Sequence, residues 1–154
     1  MEFARRCEAL KPRLYRTALL YLGGESQAAD AVDEAIYKGF LARKKLRQPE
    51  HFTTWLTRIL MNVCNAELRR QRREQAVAEL PETAQETFDA LPLRQAVEAL
   101  PPELRQVIVL RYFTGLTLAE TARALELPPG TVSTRQRRAL ALLRLELADE
   151  EAEA

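Results

Sequence analysis

The 154-residue chain has only two cysteines and one histidine. Cys7 and Cys64 lie far apart and outside any CxxC or Cys/His ligand spacing, which argues against a disulfide framework or a zinc site and leaves both as packing thiols. His51 has no neighbouring ligand type and reads as a loop surface residue. There is no glycine-rich phosphate loop, no nucleophile elbow and no convincing acid/base pair. No catalytic residue, metal ligand, cofactor or small-molecule substrate is therefore expected. No apolar run approaches the roughly 20 residues of a membrane span. Met1 to Arg6 lacks the apolar segment of a secretory signal, so a cytoplasmic location is expected. No segment sustains two-residue alternation, and the expected fold is all-α.

Net charge is also nearly absent, at +1, but it is unevenly distributed. Residues 1–73 carry 15 basic and 8 acidic side chains, 74–99 carry 1 and 6, 100–145 carry 7 and 3, and 146–154 carry none and 5. Two basic blocks separated by an acidic stretch and closed by an acidic tail suggest two small modules that meet a polyanion.

Glycine and proline punctuation locates the helices. A first helix starts near Phe3 and ends at Gly23 and Gly24; Ser26 is a candidate cap for a second that reaches about Leu46. From Phe52, the series Trp55, Leu56, Ile59, Leu60 and Val63 advances by three and four, one buried helix face, and this helix should reach the arginines at 69–73. Residues 74–91 read as an acidic tether, free to allow compact or extended arrangements. Beyond it, Leu104, Val107, Ile108 and Leu110 form a helix closed by Gly115.

Thr117 followed by Glu120 is a capping box, and Ala119, Ala122 and Leu125 are expected to face inward. After Pro128-Pro129-Gly130 comes an arginine-rich helix start, with Val132, Leu140 and Leu143 on its inner side. Two short helices joined by a tight turn form a helix-turn-helix, whose second helix would enter a DNA major groove. Arginine bridges guanine O6 and N7, and short hydroxyl side chains approach base edges or phosphates. The candidates are Ser133, Thr134, Gln136, Arg137 and Arg138, with Arg135 either a phosphate contact or a structural partner. The plain alternative is a solvated basic face in a bundle; the consistent cap, turn and apolar spacing favour the helix-turn-helix.

The stretch from Leu100-Pro101-Pro102-Glu103 through VIVLRYFTGLTLAETARALELPPGTVSTRQRRALALL closely resembles the minus-35-reading domain of bacterial sigma factors of the extracytoplasmic-function (ECF) group, in the sigma-70 family. Independently, Ala29 to Tyr37 resembles that family's core-binding helix, and Phe52 to Asn62 with Arg69 and Arg70 its minus-10 helix. The resemblance implies two helical domains joined by a flexible linker: 1–73 (core-binding and minus-10), 74–91 (linker) and 92–147 (minus-35); the charge of the remaining 148–154 reads as a disordered acidic tail.

It further implies that Asp30, Asp33, Glu34 and Tyr37 dock on the clamp helices of the largest subunit of core RNA polymerase. Asp33 stands where many relatives have glutamine, and Ala66 where an aspartate is common. Arg58 and Asn62, four residues apart, would capture an unpaired promoter base in a pocket shaped by Leu46 to Thr53, while Arg69 and Arg70 meet phosphates. Trp55, inside the apolar series, reads as core. Promoter DNA, core polymerase and an anti-sigma factor, often membrane-tethered, are the implied partners. A second reading is a stand-alone, LuxR-like helix-turn-helix regulator with an N-terminal dimerisation or sensor bundle; a third is a polymerase-binding adaptor.

Overall fold

The computed structural model describes residues 2–77 and 91–153, and among these every regular element is helical. The middle of the expected tether, 78–90, lies outside the described residues. Helix α1 spans Glu2–Leu22, α2 Glu25–Leu41, α3 Phe52–Val77, α4 Leu91–Ala99, α5 Pro102–Ile108, α6 Leu118–Leu125 and α7 Pro129–Glu153.

α1 stops where Gly23 adopts φ 93° and its amide donates to the Leu19 carbonyl at 2.8 Å, a left-handed cap that L-residues resist. Ser26 is not the cap of α2. Gly24 occupies that position, and a Cβ there would meet Gln27 Oε1 at 2.0 Å, so the Gln27 amide already fills the space a capping side chain would use. α2 also ends earlier than the apolar pattern suggests, at Leu41, because the chain tightens into a 3₁₀ turn at Arg43–Lys45. A second turn, Pro49–His51, leads into α3.

α1, α2 and α3 pack into a three-helix core. Leu14, Ala18, Ala28, Ala35, Leu56 and Leu60 are all completely buried. α2 contributes mostly small residues, and a Cβ on Gly39 would lie 2.9 Å from Leu56 Cδ1; the missing side chain lets α2 and α3 approach closely.

In the C-terminal half, α5 continues into a wide π turn, Val109–Thr114, closed by Gly115 at φ 88°. Across the junction of α5 and this turn four consecutive residues, Val107 to Leu110, are buried, which a single helix face cannot do. The reason is its central position: Val107 belongs to a small cluster with Ala122 and Val132, Ile108 and Val109 to the core of α4, α5 and α7, and Leu110 to the core of α1–α3. In return, Leu20 of α1 buries itself among the C-terminal helices.

The two halves are thus packed together. α1 meets the π turn, and α6 lies on α3 with Ala124 and Leu125 in its core. The inward face of α6 is Thr121, Ala122 and Ala124, whereas Ala119 is exposed, a one-residue rotation from the sequence expectation. α7 continues to Glu153, so the acidic end extends a helix instead of forming an irregular tail, as its alanine, leucine and glutamate content favours. Among the described residues no helix is long and apolar enough to cross a membrane.

Candidate nucleic-acid interface

A cavity of about 360 Å³ opens beside the start of α3, lined by Lys45, Leu46, Arg47, Gln48, His51, Thr54, Trp55, Arg58 and Arg123. The two 3₁₀ turns build its rim. Arg6 Nη2 donates to the Pro49 carbonyl at 2.7 Å, and Arg43 stacks 3.9 Å over the Phe40 ring while donating to the Phe40 carbonyl at 2.7 Å. Four cationic side chains on a partly apolar wall suit a phosphate-linked base. Trp55 is half-buried against Phe52 with ring centroids 5.9 Å apart, and it lines this cavity as well as serving the core.

Arg58 is exposed and forms an ion pair with Glu126, from the other half of the chain. Asn62, one turn further along α3, is exposed. Arg69 is exposed too, but Arg70 is engaged by two carboxylates: it donates to Glu67 at 2.6 and 3.1 Å and to Glu74 at 2.5 Å. The hydrogen bond from Arg70 holds the Glu67 carboxyl below its ordinary range despite partial burial. Arg70 therefore presents less free charge than its position suggests.

On α2, Asp30, Asp33, Glu34 and Tyr37 are all exposed. Asp30, Glu34 and Tyr37 succeed one another by four and three residues, and Asp30 and Glu34 line a groove shared with Arg70. Asp33 lies on the other flank, in a groove between α1 and α2 with Lys11 and Tyr15. Glu34 pairs with Lys38 at 3.0 Å. The stripe continues into Phe40 and Leu41, exposed large apolar residues absent from the sequence-derived candidates. Their spacing from Tyr37, three and four residues, was a sufficient signal.

The helix-turn-helix is built as the capping pattern requires. The Glu120 amide donates to Thr117 Oγ1 at 3.1 Å and the Thr117 amide to Glu120 Oε1 at 2.9 Å. Glu126 turns the chain at φ 58°, and Pro129 opens α7. Val132 and Ala139 are fully buried, which turns the opposite side outward. Thr134, Arg137 and Arg138 are exposed, and Ser133, Arg135 and Gln136 are half-buried. Arg137 Nη1 donates to Ser133 Oγ at 3.2 Å. Arg111, not among the sequence candidates, donates to Gln136 Oε1 at 2.9 Å and to the Leu116 carbonyl at 2.7 Å, fixing α7 to the π turn. Only the fold brings these residues together. Among the described residues no group of three His, Cys, Asp or Glu is placed to hold a metal ion.

Comparison with known proteins places both halves. Residues 7–74 match the family model described as Sigma-70 region 2, and residues 96–145 the one described as Sigma-70, region 4. The chain is 30% identical over 146 residues to the RNA polymerase sigma factor SigV of Bacillus subtilis, covering 92% of this chain and 88% of that one. It is 29% identical to the ECF RNA polymerase sigma factor SigW of the same organism, covering 96% and 89%. Among solved structures, the sigma factor RpoE of Bartonella quintana, in complex with the anti-sigma factor NepR, superposes with a TM-score of 0.82 at 21% identity, covering 96% of this chain and 97% of that one. At that identity the likeness concerns the fold.

Proposed function

The chain belongs to the ECF group of the sigma-70 family, and from that premise we propose how its surfaces divide the work of transcription initiation. Core RNA polymerase is gripped by α2 through the stripe of Asp30, Glu34 and Tyr37 and through Asp33 on its other flank, acidic groups that suit a basic coiled-coil partner and set specificity and association rate. Phe40 and Leu41 extend that surface with apolar area.

The start of α7 reads the minus-35 element through Ser133, Thr134, Gln136, Arg137 and Arg138, with Arg135 on phosphate. The cavity beside α3 takes an unpaired base of the minus-10 element, with Arg58 in its wall, Asn62 exposed one turn further along α3, and Arg69 and Arg70 toward the upstream duplex. The observation that carries this reading is the coexistence, in one chain, of a cationic cavity on α3 and a capped helix-turn-helix. A lone regulator of the LuxR type has no use for the first.

The chain itself makes and breaks no covalent bond; nucleotidyl transfer belongs to the polymerase, so the protein acts where that enzyme does, in the cytoplasm. An anti-sigma factor is the expected negative regulator, and the complex seen for the Bartonella protein supports that expectation. Transcription with sigma-free core polymerase on a random promoter library tests the whole reading and returns the consensus; no start-site selection above core alone refutes it. Reversing charge at Asp30 and Glu34 should abolish co-purification with core polymerase, and unchanged recovery would remove α2 from the docking surface.

A further inference from the structure

The segment that shapes the rim of the cavity beside α3 has little burial to hold it. Every residue from Arg47 to His51 is exposed, and neither 3₁₀ turn buries a side chain. Its backbone bonds are local: the Leu46 amide donates to the Arg43 carbonyl at 3.3 Å, and the His51 amide to the Gln48 carbonyl at 2.9 Å. Among the described residues, one hydrogen bond reaches Arg47–His51 from a distant part of the sequence. It runs from Arg6 Nη2 on α1 to the Pro49 carbonyl, across 43 residues.

The same guanidinium lies 4.4 Å from the centroid of the Phe52 ring, where α3 begins. Phe52 is buried and meets Phe3 edge to face at 5.8 Å, while its amide donates to the Pro49 carbonyl that Arg6 also reaches. Arg6 thus grips both ends of the Pro49–His51 turn, one by a charge-assisted hydrogen bond and the other by cation–π contact. Gln48 and His51, flanking the gripped carbonyl, line the cavity; Pro49, Glu50 and Arg6 do not. The turn is held from behind.

The chemistry of the lining divides along the same line. Lys45, Arg47 and Arg58 only donate, and suit phosphate oxygens approached from many directions, whereas Gln48 and His51 carry acceptors as well as donors and can tell one base edge from another. We propose that Arg6 is a positioning residue for minus-10 readout: by clasping the Pro49–His51 turn it fixes where Gln48 and His51 meet the captured base, and so sets base preference without touching the strand. The inference rests on the assignment of that cavity to the minus-10 strand. Reading groups must be held to within about 0.5 Å, which an exposed turn with no buried side chain of its own does not achieve unaided.

Arg6→Met keeps an unbranched stem against Phe52 and removes both the donor and the charge. In the full-length chain, the His51 and Phe52 amides should then exchange with deuterium about tenfold faster, the scale of one lost charge-assisted bond, with exchange in α2 and α7 unaltered. Unchanged exchange across 47–52 overturns the clasp, whatever the DNA results.

Transcription with core polymerase from promoters randomised at the minus-10 element reads the specificity. For Arg6→Met the ratio between the best and the poorest base at the captured position should fall by about threefold or more, with minus-35 preference and co-purification with core polymerase unchanged. Arg6→Lys keeps the charge without the planar fork and should lose preference in the same way; a wild-type profile would show that charge alone suffices, and overturn the clasp. So would a loss spread evenly over all bases with a shallower salt dependence, the mark of a phosphate contact. Gln48→Ala and His51→Ala report separately on the cavity. If neither alters base preference, the minus-10 assignment itself falls, and the positioning role falls with it even where exchange has quickened.

Discussion

The Tyr21 hydroxyl donates to Asn65 Oδ1 at 2.5 Å and lies 3.3 Å from Gln106 Oε1, so one fully buried side chain of α1 ties α3 to α5. The Tyr21 carbonyl in turn accepts from Arg105 at 2.5 Å. Removing the hydroxyl leaves Asn65 Oδ1 without its donor. Tyr21→Phe should therefore lower the free energy of unfolding by about 1–2 kcal/mol, seen as a lower urea midpoint at unchanged slope. A neutral result would mean that water replaces the bond without loss.

Alkaline pH should weaken the fold through two buried acids. Burial pushes the Tyr21 hydroxyl up to about 12, with Arg105 pulling the other way, and burial pushes the Cys64 thiol up to about 12, with Glu67 adding to the rise. In the unfolded chain these groups ionise near their ordinary values of 10 and 9. Both raised values favour the neutral form in the native state. Their contribution is complete below about pH 9 and drains away as pH climbs toward 12, by on the order of 2 kcal/mol or more for each group. Denaturation curves at pH 8, 9.5 and 11 should show the fall, and Cys64→Ala should flatten its first part.

Asn62 is exposed on α3 and buries nothing, so Asn62→Ala should leave stability within about 0.5 kcal/mol and core binding unchanged. Open-complex formation should drop. An unaltered permanganate footprint on the minus-10 region would remove Asn62 from strand capture.

Arg137 and Arg138 are exposed at the start of α7, and Arg137 is steadied by Ser133. Replacing either with alanine should reduce discrimination at one minus-35 base pair by about 1–3 kcal/mol if the contact is bidentate to guanine. Uniform weakening on all sequences, together with a shallower salt dependence, would identify a phosphate contact instead.

Local patterns carried much of this molecule. The three-and-four spacing from Phe52 to Val63, the Gly23 and Gly115 stops and the Thr117/Glu120 box each reappear as the elements they imply, because helix faces and caps depend on residues within a turn of one another. The errors were also local: Ser26 lost the cap to Gly24, and Ala119 turned outward, choices settled by a single residue of rotation. The unbroken apolar run Val107-Ile108-Val109-Leu110 held a further signal, since burial on every side requires neighbours on every side.

Composition and spacing alone determined that the chain is helical, that it pairs a basic N-terminal unit with a helix-turn-helix, and which side chains are offered at the start of α7; the docking residues on α2 were named by the resemblance to sigma factors. Only the tertiary structure decided that Arg58 meets Glu126, 68 residues away, that Arg123 completes a cavity built by the other half, and that Arg111 fixes Gln136. Periodicity reports which face of a helix is buried; it says nothing about which distant helix buries it, because that choice depends on the fit of whole surfaces.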